Sequence, residues 1–242
     1  MAQPEERRLF LPPRPVIHVT GALEHELITA ITALSGYRQL CYQAFLIHGP
    51  VGAGKTSLVR ALADHPLTRR TFRDGVAWVE SARNPNETVM RLCLGFELER
   101  APGERWVECW RRWIGLEERR VLLIVDNVRD PRGLTSLVSG LGPQVTVFVT
   151  TRKRIAVLAE LERWLPARAI RQVEVSGLSP EEAAALATTV MGRKLDIEES
   201  VHVQKIGNRV RWRPEAIRCE VIKARETGWP RETSGSREQS ST

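Results

Sequence analysis

The sequence predicts an α/β fold: a parallel five-stranded sheet flanked by helices, followed by a small all-helical subdomain. Three observations predict it. Five short apolar runs alternate with helical stretches between residues 44 and 175. A complete G-x-x-x-x-G-K-[ST] pattern follows the first run directly. From Ser179 onward the alternation stops and only helical periodicity remains.

Residues 1–15 are rich in Pro, Arg and Glu and read as an extended arm. From Ala22 to Leu34, apolar residues recur at helical spacing (Leu23, Leu27, Ile28, Ile31, Leu34), and Gly36 ends the pattern. The five runs are Ala44–His48, Val76–Glu80, Val121–Val125, Val145–Val149 and Gln172–Val175. Three of them are almost wholly apolar, as strands covered on both faces should be. Helices are expected between them over Thr56–Ala63, Asn86–Phe96, Glu104–Leu116 and Ile155–Leu165. Strands joined through helices make βαβ units and therefore a parallel sheet. Trp106, Trp110 and Trp113 form a stripe on one helix that reads as core, with partner docking as the alternative. Ser179-Pro180-Glu181-Glu182 is a capping box with Pro at the first helical position. Helices are expected at 180–191, 196–207 and 214–226. The expected domains are an arm (1–15), a nucleotide-binding domain (16–177), a helical subdomain (178–228) and a disordered tail (229–242).

With 242 residues, 42% of them apolar and 27% charged, the chain can bury a substantial core. No apolar run approaches the ~18 residues of a membrane span. No apolar stretch follows the N-terminal arginines, so this segment is not expected to be a secretory signal. Cys41, Cys93, Cys109 and Cys219 are scattered, without zinc-site or disulfide-framework spacing. These features point to a cytoplasmic protein with no membrane partner. The net charge is +7, but 31 of the 36 basic residues are Arg and they are spread along the chain. A nucleic-acid footprint would cluster on one face, so specific nucleic-acid binding is not expected.

Gly49-Pro50-Val51-Gly52-Ala53-Gly54-Lys55-Thr56, with Ser57 after it, is a phosphate loop set between a strand and a helix. Its glycines let backbone N–H groups turn toward phosphate, and the helix aims its positive end at the same charge. Lys55 adds a mobile cation, and the Thr56 hydroxyl can ligate Mg²⁺. Asp126 ends an apolar strand 71 residues after Lys55 and is the second metal-binding candidate. Asn127 follows, where many ATPases carry a carboxylate base. An amide accepts no proton from the attacking water, so hydrolysis should be slow. The alternative for Asn127 is that it shapes the turn. Thr150 and Arg152, at the end of the fourth run, are expected to face the terminal phosphate, which suits the planar fork of Arg.

These motifs resemble the NB-ARC (AP-ATPase) branch of the STAND signalling P-loop NTPases. Phe72–Val79 looks like the family's second-strand motif, Leu122–Val128 like its Walker B, and Thr150-Thr151-Arg152 like its sensor motif. Leu178–Ala183 looks like the start of its helical subdomain, and Trp212–Ile217 falls at its G-L-P-L-A-L position. The resemblance implies the strand order 5-1-4-3-2, counting the runs along the chain. It also implies ATP/ADP as ligand with Mg²⁺, and Pro214 against the adenine. It implies a signalling switch that is a weak ATPase at most, with sensor and effector domains or a protein partner supplied elsewhere. The family's Arg near Val19-Thr20-Gly21 is replaced by Ala22-Leu23, which removes one nucleotide contact. Two rival readings are an active P-loop ATPase of another branch and a DNA-binding regulator with ATP as a secondary ligand. The first lacks its carboxylate at Asn127, and the second lacks a readable helix-turn-helix.

Overall fold

The computed structural model describes residues 8–9, 21–33, 43–80, 85–116 and 118–229. They fall into two compact units, one ending at Gly177 and the other beginning at Leu178. The first is built on a parallel sheet of β1 (Arg8–Leu9), β2 (Ala44–His48), β3 (Gly75–Glu80), β4 (Val121–Val128), β5 (Thr146–Thr151) and β6 (Ile170–Glu174). The strands lie side by side as β1-β3-β4-β5-β2-β6. Without β1 this is the expected order 5-1-4-3-2, read from the opposite edge. β1 is an addition: Arg8 pairs with Val76 and Leu9 with Ala77, which extends the β3 edge. The rest of the 1–15 arm, Gly36 at the expected end of the first helix, and the tail from residue 230 lie outside the described residues.

Alternation along the strands divides the core in two. Phe45, Ile47, Val76, Trp78, Leu122, Ile124 and Phe148 face one side. There they pack against α1 (Ala22–Ala33) through Leu27 and Ile28, and against α2 (Lys55–Asp64) through Leu58, Val59 and Leu62. Ala44, Leu46, Val79, Leu123, Val125, Val147 and Val149 face the other. That side is covered by α4 (Pro85–Gly95), α5 (Trp106–Ile114), α6 (Thr135–Val138) and α7 (Arg154–Glu162). The short α3 (Pro66–Thr71) follows α2 directly. The tryptophan stripe belongs to this core. Trp110 is fully buried and its Nε1 donates to Leu137 O at 3.1 Å, Trp113 packs on Phe96 at 4.6 Å, and Trp106 is partly buried beside them.

The second unit holds α8 (Pro180–Met191), α9 (Ile197–Val210) and α10 (Pro214–Thr227). The capping box forms as the sequence requires: Glu182 N donates to Ser179 Oγ at 3.2 Å, and Ser179 N to Glu182 Oε2 at 2.8 Å. Asp196 and Glu199 close a second box on α9. Leu186, Ala187, Val190, Val203, Ile217 and Val221 form the unit's own apolar interior. No helix among the described residues is long and apolar enough to cross a membrane.

Candidate functional site

The site is set by where β2 must stop being a strand. Gly49 follows His48 with φ 150, and a Cβ there would lie 2.1 Å from the Val175 carbonyl oxygen. Only glycine lets the chain turn away so close to the neighbouring backbone. The turn closes at Gly54, φ 98, which caps α2 without any side-chain hydrogen bond. The first-turn N–H groups of α2 are therefore unanswered by a capping side chain and are available to an anion. Leu58 N donates to Gly54 O at 2.8 Å, so the helix is regular from its first turn. Pro50 and Val51 are exposed at the loop crest, and Ala53 is buried beneath it.

Lys55 Nζ donates to Gly49 O at 2.9 Å and Pro50 O at 2.7 Å, which folds the ammonium back over the loop. Burial, then the positive charge of Arg152, lowers the Lys55 pKa, while Asp126 opposes the shift. Thr56 Oγ1 donates to the Asp126 carboxylate, 3.1 Å from each oxygen. Asp126 is buried, as is Thr150, whose hydroxyl donates to Asp126 Oδ1 and accepts from Asn127 N at 2.7 Å. The structure thus brings Lys55, Thr56, Asp126 and Thr150 into one connected group. Arg152 is exposed just past the end of β5, and Asn127 is exposed with φ 56. Asn127 causes the register shift between Val125 and Val128, and β4 runs two residues beyond Asp126 rather than stopping there.

The donors suit Mg²⁺. A carboxylate and a hydroxyl in contact are hard oxygen ligands, and Mg²⁺ typically takes one or two protein oxygens and leaves the rest of its shell to water and phosphate. Among the described residues no group of three or more His, Cys, Asp or Glu could hold a metal, so no all-protein cage competes. Pro214 lies in the second unit, at the first position of α10, where its missing N–H costs no hydrogen bond.

Sequence reasoning missed Arg154. It opens α7 immediately after Arg152 and Lys153, and its charge acts on His48 at the end of β2. The signal was present: Arg152-Lys153-Arg154 is a run of three cations directly after a buried strand.

Comparison with known proteins bears on the fold and the family. Comparison with curated proteins found no match. Among solved structures, a signal transduction ATPase with numerous domains (STAND) and a tetratricopeptide repeat sensor, from Pyrococcus horikoshii, superposes with a TM-score of 0.54 at 19% identity; the match covers 85% of this chain and 30% of that one. The Aeropyrum pernix ORC2 protein, in ADPNP–ADP complexes, gives 0.54 at 14% identity, over 90% and 63%. Cdc6p from Pyrobaculum aerophilum gives 0.50 at 11% identity, over 88% and 65%. The chain thus spans less than two thirds of the length of each of these proteins, and at these identities the likeness is one of fold. The NB-ARC domain family model matches residues 33–196, more than half of the chain, and the chain belongs to the NB-ARC family.

Proposed function

We propose that this chain is an ATP/ADP-operated signalling switch that binds Mg-nucleotide and hydrolyses it slowly or not at all. One observation carries the reading: the Thr56 hydroxyl and the Asp126 carboxylate meet at 3.1 Å directly beside a loop over which the Lys55 ammonium folds and whose helix starts without a side-chain cap. That arrangement answers a polyphosphate and a hard divalent cation together. Residues 49–57 would cradle the phosphates, and Thr56 and Asp126 would hold Mg²⁺, which when bound neutralises charge on the phosphate oxygens. Thr150 would fix the Asp126 carboxylate through its hydroxyl, and Arg152 would reach the terminal phosphate from the strand end. The family resemblance assigns Pro214 to the adenine ring. We take residues 16–177 as the nucleotide-binding domain and 178–228 as the helical subdomain. Sensor or effector domains, or a separate protein, would read out the nucleotide state, in the cytoplasm.

A nucleotide shifts such a switch only by its differential affinity for the two states. The first test is therefore binding. Lys55→Ala removes a cation from a partly desolvated phosphate site, a loss of about 1.5–3 kcal/mol, or roughly 10- to 150-fold in affinity. Equilibrium titration with labelled ATP should show that drop. Equal binding by wild type and variant would overturn the reading.

A further inference from the structure

The arginines are spread along the chain, yet the second unit gathers several of them at one turn. From Lys205 to Arg213 the sequence holds four cations and no acid. Arg211, Trp212 and Arg213 are the turn between α9, which ends at Val210, and α10, which opens at Pro214. Arg209 Nη2 reaches Glu220 Oε2 on α10 at 3.0 Å, and Lys223 Nζ lies 3.5 Å from Oε1 of the same carboxylate. Two cations share one acid, so the seam between the helices stays positive. Arg213 Nε donates to Val210 O at 2.9 Å, which holds its guanidinium at the end of α9. Arg209, Arg211, Arg213 and Lys223 are all exposed.

Helix chemistry accounts for part of this, since cations are favoured at the C-terminus of α9. It does not account for Arg211 and Trp212 in the left-handed conformation, at φ 55 and 56, which glycine adopts without strain. Such strain, held at one point, is a pointer to side chains kept for something other than folding. What these two positions gain over glycine is a guanidinium and an indole. The Trp212 ring rests on Gly207, where a Cβ would be 2.3 Å from it, and the residue stays partly exposed.

We propose that the α9–α10 turn binds single-stranded nucleic acid without sequence preference, the arginines and Lys223 holding phosphates and the Trp212 indole stacking on a base. The proposal is independent of the nucleotide-switch reading. The planar fork of Arg suits phosphate oxygens, and cations along a seam suit a linear polyanion. The indole separates the candidate partners. An acidic peptide has no base to place on it, and a duplex keeps its bases stacked inside. A membrane surface calls for apolar residues beside the cations. The large exposed apolar residues of this unit, Ile197 and Val201, lie at the other end of α9.

The test is fluorescence anisotropy of the full chain with a short labelled oligothymidylate, across about 50–200 mM salt. Four phosphate contacts predict a slope of log affinity against log salt of about −3. Arg211→Gly removes one contact and relieves strain, so it should weaken binding and flatten the slope by about 0.7 in a protein that melts no lower than wild type. A merely structural arginine would not lose binding while stability is kept. Trp212→Ala should weaken binding roughly 5- to 150-fold and leave the slope unchanged, because stacking releases no counterions. If Trp212→Ala does not fold, Arg211→Gly alone decides. Competition with the matching duplex, with polyglutamate and with anionic phosphatidylserine vesicles should be weaker than with unlabelled oligothymidylate at equal salt. Equal competition by any of the three would overturn the assignment to single strands, and so would a wild type that does not bind or an Arg211→Gly variant with wild-type affinity and slope.

Discussion

Asn127 follows the buried Asp126 with φ 56, and its N–H donates to the Thr150 hydroxyl. Asn and Asp are the non-glycine residues that most readily accept this left-handed conformation. Asn127 therefore has a structural role, bulging β4 so that Asp126 stays fixed while the chain turns outward. The same position is where a catalytic carboxylate would stand, and the amide cannot act as a base. Turnover should lie well below the ~1–10³ s⁻¹ typical of enzymes. Asn127→Asp keeps the backbone preference and adds a base, so its rate should rise, up to about 10²-fold if only the base is lacking. Phosphate release measured on both proteins checks this; several turnovers per second by the wild type would favour the active-ATPase reading. At this scale the sequence was informative wherever a residue type dictates chemistry, as at Lys55, Thr56 and Asp126. It was silent on partners. That the Thr150 hydroxyl contacts Asp126, and that Arg154 acts on His48, depends on register between strands distant in sequence.

Element boundaries were legible where a cap fixes them. The helix expected at 180–191 is observed as Pro180–Met191, because Ser179 and Glu182 start it and Gly192, φ 71, stops it in the left-handed conformation glycine favours. The next helix was expected at 196–207 but runs on to Val210, since no glycine follows it. It ends instead on Arg211 and Trp212, at φ 55 and 56, with Trp212 N donating to Gly207 O at 2.8 Å. The Trp212 ring lies on Gly207, where a Cβ would be 2.3 Å from it, so that glycine makes room for the indole. α3 and α6, of six and four residues, are too short to display a helical period, and the two-residue β1 has no alternation to read. Two successive non-glycine residues in the left-handed region are costly, at about 1–2 kcal/mol each. Arg211 is exposed, and its side chain makes no hydrogen bond or ion pair among the described residues. Arg211→Gly should therefore stabilise the protein. Its greater unfolded-chain entropy offsets part of the gain, leaving about 1 kcal/mol. A thermal melt should show a higher midpoint; a lower one would mean that the Arg211 side chain contributes more than its backbone strain costs.

For the whole molecule, periodicity indicated that there are strands and helices but not which strand lies beside which. The order 5-1-4-3-2 came from the family resemblance, because parallel pairing joins segments separated by a complete helix. The structure adds an energetic argument about the two units. Both apolar clusters of the first unit are built from residues between Leu27 and Val175. None of the side chains in those clusters comes from beyond Gly177, and α8, α9 and α10 have an interior of their own. A protein ending at Gly177 keeps its entire described core and the group formed by Lys55, Thr56, Asp126 and Thr150, so it should fold and still bind phosphate through the loop. It lacks Pro214, and the position after Gly21 that the family fills with Arg is Ala22. If Pro214 reads the base, this truncation should weaken ATP binding and erode the preference for adenine over guanine, while Lys55→Ala still weakens what binding remains. Competition titrations of ATP against GTP, on the full chain and on the truncated one, measure both effects. Unchanged affinity and unchanged base preference would show that residues 178–242 take no part in recognising the nucleotide. The nucleotide would then be recognised by the first unit alone, through the phosphate loop, Thr56, Asp126 and the residues at the end of β5.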